Sequence, residues 1–509
     1  MIYLVGSGPG DPGLFTLKGV RCMEEADAVV YDRLAPEALL KYASPEAERI
    51  YVGKKPGNPT MSQEDINALL VELGRTAKTV VRLKGGDPYI FGRGGEEALA
   101  LKSAGLPFEV VPGVTSGVAA PAYAGIPVTH RSISTSVAFV TGHEDPTKGR
   151  SDVDWKKLAN SADTLVLYMG VGRLQEISAE LLAAGRSPDT PVACVRWGTI
   201  PEQQTVTGTL EDIAGRVAEA GMKPPAITVV GDVVALREEG LDWYERRPLF
   251  GQRVVVTRAR AQAGELSVEL ERLGAEVHEF PTIEIRPPED YGPLDAAIRE
   301  LDSFGWIVFT SVNGVEAFLQ RLRHHGLDLR AVPRDAKVAA IGPATAQKIE
   351  EAGLLVDVVP GEYRAEALIG ALDVRAGERI LIPRAKVARE ILPEKLREAG
   401  ADVIVPPAYE SAPSSEGKED LARRLQFGEI DCVTFTASST VENFVGAFGA
   451  EEAARLLAGT RVACIGPITA ETAREHGLRV DAEAEKYTIS GLVEAVTGLL
   501  AVDPVKRGD

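Results

Sequence analysis

Gly85-Gly86-Asp87-Pro88-Tyr89-Ile90-Phe91-Gly92-Arg93-Gly94-Gly95 lies between a strand-like run over 79–83 and a helix-like run over 96–103. Five of its eleven residues are glycine. A chain gives up that much side chain where its backbone must lie close to a ligand. The stretch is too long for an ordinary turn and points to an enzyme. Two similar loops follow strand-like runs: Gly6-Ser7-Gly8-Pro9-Gly10-Asp11-Pro12-Gly13 and Pro112-Gly113-Val114-Thr115-Ser116-Gly117. Ligands of open α/β sheets sit at the carboxyl ends of the strands, so three such loops read together as one binding edge. The first loop fails as a dinucleotide fingerprint, because Asp11 replaces the third glycine and Pro9 breaks the entry into a helix. It reads as a backbone surface for a ligand other than a pyrophosphate, or as a tight connection. Asp87 suits ligand hydroxyls or an ammonium, or an Asx-turn before the helix. Thr115 or Ser116 suits a ligand, or a helix cap.

At 509 residues the chain exceeds one core, so two or three domains are expected. A net charge of −18 disfavours general nucleic-acid binding but leaves room for a polyanionic small ligand held by local basic clusters. No apolar run reaches the ~18–20 residues of a membrane span. The first residues open on a strand, Ile2-Tyr3-Leu4-Val5, without a basic leader. Cys22, Cys194, Cys432 and Cys464 are isolated, without metal-ligand spacing. A cytoplasmic protein that needs no metal and no membrane is expected.

Strand-like runs over 2–5, 28–31, 80–83, 108–111, 137–141, 164–168, 192–196 and 226–230 alternate with helical runs, which predicts an α/β architecture. The pattern breaks over 237–250, where the sequence is charged and aperiodic, and a fresh strand begins at Arg253. Domains are therefore expected over 1–246 and 247–502, with a polar tail over 503–509. The second half repeats itself. Val254-Val255-Val256-Thr257-Arg258 matches Ile380-Leu381-Ile382-Pro383-Arg384, and Val308-Phe309-Thr310-Ser311 matches Thr434-Phe435-Thr436-Ala437, both 126 residues apart. Ile341-Gly342-Pro343 matches Ile465-Gly466-Pro467 at an offset of 124. A period this long means two duplicated β-α-β-α lobes, with a cleft between them suited to a ligand.

Over the first 245 residues or so, several motifs together resemble the tetrapyrrole methylase family, and within it the uroporphyrinogen-III C-methyltransferases. They are Val5-Gly6-Ser7-Gly8-Pro9-Gly10-Asp11-Pro12, Val29-Val30-Tyr31-Asp32-Arg33-Leu34, Gly53-Lys54, the run from Gly85 to Glu97, Pro112-Gly113-Val114-Thr115-Ser116, Gly125-Ile126-Pro127-Val128-Thr129-His130-Arg131, Tyr168-Met169-Gly170 and Pro225-Ala226-Ile227. The resemblance implies two α/β subdomains with S-adenosyl-methionine between them, and a homodimer. It places cofactor contacts on Pro9, Gly85, Gly86, Asp87, Ile90, Thr115, Ser116, Met169, Gly198 and Ala226. Met169 suits a soft apolar wall against the adenosyl group, or ordinary core packing. Asp32 and Lys54 fall where the family proposes its base and acid; they also read as a capping aspartate and a solvated lysine. The implied substrate is a macrocycle with eight carboxylates. Arg33, Lys54, Lys55, Arg93, His130 and Arg131 lie near the glycine loops as its candidate partners.

The second half shows no nucleophile, base or metal arrangement. From about residue 251 it resembles the uroporphyrinogen-III synthase family, on Val256-Thr257-Arg258, Phe309-Thr310-Ser311, Ile341-Gly342-Pro343, Pro406-Pro407-Ala408-Tyr409-Glu410, Phe435-Thr436-Ala437-Ser438-Ser439 and Ile465-Gly466-Pro467. The resemblance implies a two-lobed α/β domain whose chain crosses between lobes twice, so that sequence repeat and spatial lobe need not coincide. It singles out Tyr409 and Thr469, with Ser311, Thr345 and Ser438 as further cleft candidates. Arg258 and Arg384, equivalent in the two repeats, are candidates for acetate and propionate arms. Together the resemblances imply closure of hydroxymethylbilane to uroporphyrinogen III with ring D inverted. Methylation at C2 and C7 to precorrin-2 would follow, releasing S-adenosyl-homocysteine on the way to sirohaem or cobalamin. Two other readings stay open. The methylase acts on a later corrinoid intermediate, or the second half binds tetrapyrroles without catalysis. A nucleotide-dependent oxidoreductase is disfavoured by the failed fingerprint.

Overall fold

The computed structural model describes residues 1–53, 61–142, 153–257, 260–361, 365–388, 390–414 and 417–501. Lys54, Lys55, Arg258 and the tail over 503–509 lie outside the described residues. The chain forms two compact units. One is Met1–Val254 with Val268–Val277 and the stretch from Val496; the other is Val255–Ser267 with His278–Ala495.

The first unit carries two sheets. Strands β1 (Ile2–Gly6), β2 (Ala28–Tyr31), β3 (Glu48–Tyr51), β4 (Val80–Lys84) and β5 (Phe108–Val111) form a parallel sheet in the order β3-β2-β4-β1-β5. β1 and β2 are nearly continuous apolar runs, as strands covered on both faces require, whereas the central β4 carries the buried Arg82 and Lys84. Strands β6 (Val137–Thr141), β7 (Thr164–Tyr168), β8 (Pro191–Arg196), β9 (Gln204–Thr209) and β10 (Ala226–Val230) form the second sheet, β6-β7-β10-β8-β9. Here β6 and β7 are parallel, whereas β10 runs against both β7 and β8, and β8 against β9. Strands β3 and β9 are absent from the sequence reading. Both are edge strands, and their polar or exposed residues leave no apolar run to recognise.

The second half of the chain carries β11 (Arg253–Val256), β12 (Glu276–Glu279), β13 (Ile283–Arg286), β14 (Trp306–Phe309), β15 (Lys337–Ala340), β16 (Arg379–Leu381), β17 (Arg384–Ala385), β18 (Asp402–Ile404), β19 (Pro407–Pro413), β20 (Cys432–Phe435), β21 (Arg461–Cys464) and β22 (Ala482–Glu483). They form sheets β12-β11-β20-β21-β22, β15-β14-β16-β18 and the small β13-β19-β17. Each large sheet draws on both sequence repeats: β11 and β12 with β20, β21 and β22 in one, β14 and β15 with β16 and β18 in the other. The first repeat begins in one lobe and ends in the other, and the second repeat does the reverse.

The duplication extends to single hydrogen bonds. Ala275 N donates to Leu270 O and Ala401 N to Leu396 O, both at 3.1 Å. Asp357 accepts from Val338 N at 2.7 Å, and Asp481 from Val462 N at 3.0 Å. Strands β13 and β19, also repeat partners, run antiparallel with Ile285 opposite Ser411. These two residues are 126 apart, the repeat offset itself. Each is its partner's counterpart, so a local two-fold passes through this pair and relates one repeat to the other.

Candidate functional site

The three glycine loops leave β1, β4 and β5 at the same edge of the parallel sheet and interlock. Gly8 N donates to Gly86 O at 3.2 Å and Gly86 N to Gly8 O at 2.7 Å, a two-residue bridge between the first two loops. A Cβ on Gly113 would fall 2.3 Å from Gly86 O, and one on Gly6 would fall 2.6 Å from the same oxygen. Gly86 itself has φ +65°. Only side-chain-free backbone allows this approach. Asp87 ties the second loop to the third. Its Oδ1 accepts from Tyr89 N at 2.8 Å in an Asx-turn, and its Oδ2 accepts from Gly113 N at 3.1 Å. Thr115 precedes helix Ser116–Tyr123 but does not cap it with its side chain. Its Oγ1 instead lies 2.6 Å from Tyr168 OH, which also accepts from Gly117 N at 2.8 Å. Burial pushes the Tyr168 phenol above its ordinary range.

Tyr168 ends β7, so the pair joins the two sheets of this unit. The second side of the cup is made by the loops after β7 and β8. Five non-glycine residues among the described residues have positive φ: Phe91, Arg93, Met169, Trp197 and Thr199. All lie in these facing loops. Such conformations cost of order 1–3 kcal/mol each and cluster at ligand sites, where surrounding structure holds them. Met169 is half exposed, an apolar thioether offered to the cup and not packed in the core. Gly198 lies between two strained residues, and a Cβ on it would strike Ala120 Cβ at 2.3 Å. Ile90 packs against the core of the second sheet, and Ala226 begins β10. Pro9 lies in the bridged first loop. Bare backbone, hydroxyls and an exposed thioether suit a ligand with an apolar ring and polar ends, as S-adenosyl-methionine has. That group would supply an activated methyl on a sulfonium.

Asp32, at the end of β2, is held from two sides. Its Oδ1 accepts from Leu34 N at 3.0 Å, and its Oδ2 pairs with Arg82 at 2.9 Å. Arg82 also reaches Glu97 at 3.2 Å, and Lys84 reaches the same Glu97 oxygen at 2.8 Å. Arg82, Lys84 and Glu97 are buried, and Glu97 Oε2 has no hydrogen-bond partner among the described residues. Burial, then the neighbouring Arg82, pushes the Lys84 ammonium below its ordinary range. The sequence reading missed this network. Its signal was present: Arg82 and Lys84 alternate within a strand whose other residues are Val80, Val81 and Leu83.

The basic candidates differ in availability. Arg33 is exposed, with its guanidinium 6.0 Å from the centre of the Trp197 ring. His130 and Arg131 are exposed, and His130 Nδ1 accepts from Ser132 N at 3.3 Å. Arg93 is engaged by Glu96 through two hydrogen bonds at 2.7 and 2.8 Å, so binding a substrate carboxylate would require exchange of partners.

In the second unit the structure brings Tyr409 and Ser311 together, with 3.0 Å between their hydroxyl oxygens. Ser311 Oγ also accepts from Gly314 N at 3.0 Å, capping helix Val312–His324. Thr345 and Thr469 are repeat equivalents and are both buried in the first turn of their helices, Pro343–Glu351 and Pro467–Glu475. Tyr409 packs with the core of one lobe and Thr469 lies on a helix of the other. Ser438 accepts from Thr472 Oγ1 at 2.8 Å. Arg384 is buried and ion-paired with Glu390, so binding a propionate arm would require exchange of partners. The four cysteines are buried. Burial pushes the Cys194 and Cys464 thiols up to about 12, which keeps them out of nucleophilic chemistry.

A parallel sheet with a backbone cup at its carboxyl edge, followed by a duplicated two-lobed domain, defines a two-domain α/β enzyme. The chain matches the family described as "Tetrapyrrole (Corrin/Porphyrin) Methylases" over residues 1–214, and that described as "Uroporphyrinogen-III synthase HemD" over residues 264–494. It is 37% identical to the porphyrin biosynthesis protein HemD of Ruminiclostridium josui over 97% of this chain and 97% of that protein. It is 42% identical to a uroporphyrinogen-III C-methyltransferase of Bacillus subtilis over 73% of this chain and 75% of the relative. The solved uroporphyrin-III C-methyltransferase of Thermus thermophilus, complexed with S-adenosyl homocysteine, is 44% identical, with a TM-score of 0.40. It covers 46% of this chain and 99% of that chain. The chain belongs to the family of bifunctional tetrapyrrole-biosynthesis enzymes that join a tetrapyrrole methylase to a HemD-type synthase.

Proposed function

We propose that the second half closes hydroxymethylbilane to uroporphyrinogen III with ring D inverted, and that the first half methylates this product at C2 and C7 to precorrin-2. S-adenosyl-methionine supplies the methyl groups in this reading. The observation that carries it is the interlocked backbone cup beside Asp32, in a chain that aligns with a porphyrin-biosynthesis relative over nearly its whole length. In each transfer a carbon–carbon bond forms as the sulfur–methyl bond breaks, S-adenosyl-homocysteine leaves, and the macrocycle gives up a proton. Asp32 is the proposed acceptor of that proton. Arg82 and Leu34 N fix the carboxylate's direction, and each oxygen keeps a second lone pair for the incoming proton. Gly85, Gly86, Asp87, Ile90, Thr115, Ser116, Met169, Gly198, Ala226 and Pro9 are the proposed cofactor contacts. Lys54 as proton donor, and Arg33, Arg93, His130 and Arg131 as carboxylate partners, complete the proposed methylase site.

In the second half, the hydroxyl pair of Tyr409 and Ser311 is proposed to assist departure of the bilane hydroxyl, with Thr469 and Ser438 lining the cleft. Expulsion of that hydroxyl needs a donor, and a tyrosine whose oxygen shares a hydrogen bond with a serine provides one. We also propose a homodimer through the methylase half, which light scattering of the purified chain tests. The deciding experiment supplies the intact chain with hydroxymethylbilane and S-adenosyl-methionine and identifies the products. Precorrin-2 is expected. Uroporphyrinogen I alone, the product of spontaneous closure, would sink the synthase assignment. Uroporphyrinogen III without methylation would sink the methylase assignment.

A further inference from the structure

Residues 237–250 looked in the sequence like a charged break in the pattern, yet in the structure they are tied to the walls of the cup. Tyr244 OH donates to Thr199 O at 3.3 Å. Thr199 N donates to Gln203 Oε1 at 2.9 Å, and Gln203 Nε2 donates to Glu245 Oε1 at 2.7 Å. Thr205 Oγ1 donates to the same Glu245 oxygen at 2.5 Å, while Arg237 pairs with the other. Arg237 also donates to Ala124 O, at the end of helix Ser116–Tyr123.

The segment grips the opposite wall as well. Tyr123 OH donates to Asp11 Oδ2 at 2.6 Å, and the Tyr123 ring is edged by Trp243 at 5.0 Å and Tyr244 at 4.8 Å between centroids. Burial, and then the bond to Asp11, pushes the Tyr123 phenol far up, so the proton stays on tyrosine. Asp11 N closes the circuit by donating to Thr199 Oγ1 at 3.0 Å. The fit leaves no room for a side chain at the crossing point. A Cβ on Gly125, which has φ +75°, would fall 2.4 Å from the Leu241 backbone.

Thr199 is buried with φ +80°, and Trp197 has φ +48°. A β-branched residue in that conformation relaxes unless its surroundings prevent it. Its amide, carbonyl and hydroxyl are each bonded, and two of the three bonds run directly or through one glutamine to Tyr244 and Glu245. We propose that residues 241–247 are a strap whose Tyr244 and Glu245 are positioning residues for the cofactor. They hold the Trp197-Gly198-Thr199 loop and the Gly10-Asp11 loop in the conformation that accepts S-adenosyl-methionine. This rests on the cofactor reading proposed above.

The test uses the full chain with Tyr244→Phe and Glu245→Ala, binding of S-adenosyl-homocysteine by calorimetry, and steady-state methyl transfer. Tyr244→Phe removes one hydroxyl and keeps the ring packing, so it serves if Glu245→Ala folds poorly. We expect the dissociation constant for S-adenosyl-homocysteine and the KM for S-adenosyl-methionine to rise together. The rise should be about threefold for Tyr244→Phe and about tenfold for Glu245→Ala, with kcat changed less than twofold. A strap that merely stabilised the fold would lower the melting temperature of both variants and leave both constants at the wild-type value; that result overturns the proposal. Wild-type chain that binds no S-adenosyl-homocysteine would overturn the cofactor reading itself, and the strap with it.

Discussion

At the scale of single residues, the buried Arg82, Lys84 and Glu97, with the partly exposed Asp32, form a group whose charges depend on one another. Two cations and two carboxylates balance, and Glu97 is fully buried between both cations. Removing one partner of a buried ion pair costs about 3–5 kcal/mol, because the remaining charge is stranded, whereas replacing the whole group by apolar side chains is often neutral. Glu97→Ala is therefore expected to lower the melting temperature of the methylase transition by roughly 10 °C. The triple variant Arg82→Met, Lys84→Met, Glu97→Leu should melt closer to the wild type than Glu97→Ala does, because only the partly exposed Asp32 keeps a charge, yet lose methyl transfer, since Asp32 has then lost Arg82. Retained methyl transfer in the triple variant would count against an orienting role for Arg82.

Asp295 gives a pH-dependent counterpart in the second unit. Arg321 holds it with bonds of 2.5 and 2.7 Å, and His325 Nε2 lies 2.8 Å from the same carboxylate. These partners, Arg321 first, hold its carboxyl well below the ordinary carboxylate range. The folded state thus binds this proton less readily than the unfolded state. The stabilisation is present in full above about pH 4 and is lost as pH falls through the folded-state value. The gap in melting temperature between wild type and Asp295→Asn should narrow as pH is lowered from 7 to 3. A constant gap would show that the ion pair contributes nothing through charge.

At the scale of elements, the loops matter more than the strands they follow. Gly113→Ala places a methyl group 2.3 Å from Gly86 O and would force the second and third loops apart. Gly95, in the helix that follows the second loop, has nothing within 4 Å of an added Cβ. Gly113→Ala should abolish retention of S-adenosyl-homocysteine in equilibrium dialysis, while Gly95→Ala should retain it and gain up to about 1 kcal/mol of helix stability. Equal retention by both variants would show that the loop contact is dispensable for binding.

The same contrast explains what the sequence revealed. The spans of β2, β5, β6, β7 and β10 were readable because apolar residues run through them with turn signals at either end. Strands β3 and β9 were not, because their polar or exposed residues leave no such run. The Tyr244 and Glu245 strap was invisible for another reason: the hydrogen bonds that tie it to Thr199, Gln203 and Thr205 span 40 or more positions and leave no periodic trace. Asp87 was legible as a residue of consequence, while the two amides that hold it emerged only from the folded loops.

At the scale of the whole molecule, the repeat in the second half was plain in the sequence, but its spatial use was not. Two tandem lobes and two lobes that each draw on both repeats give the same internal match. The hydrophobic cores separate these cases. One lobe's cores draw on residues between Ile285 and Tyr409, a single continuous piece of chain. The other unites Val255 and Phe280 with Phe435, Phe444 and Leu478, from opposite ends of the half. A core assembled from one segment forms without long-range closure, whereas the other must first bring distant segments together. A fragment spanning residues 283–414 should therefore fold by itself, with dispersed amide resonances and a cooperative melt. A fragment cut at the repeat boundary, residues 251–376, lacks β16 and β18 of one sheet and β20, β21 and β22 of the other. It should remain without cooperative structure. If the repeat fragment folded and the 283–414 fragment did not, each repeat would be a lobe in its own right, and the exchange of strands between the two sheets would be a secondary arrangement.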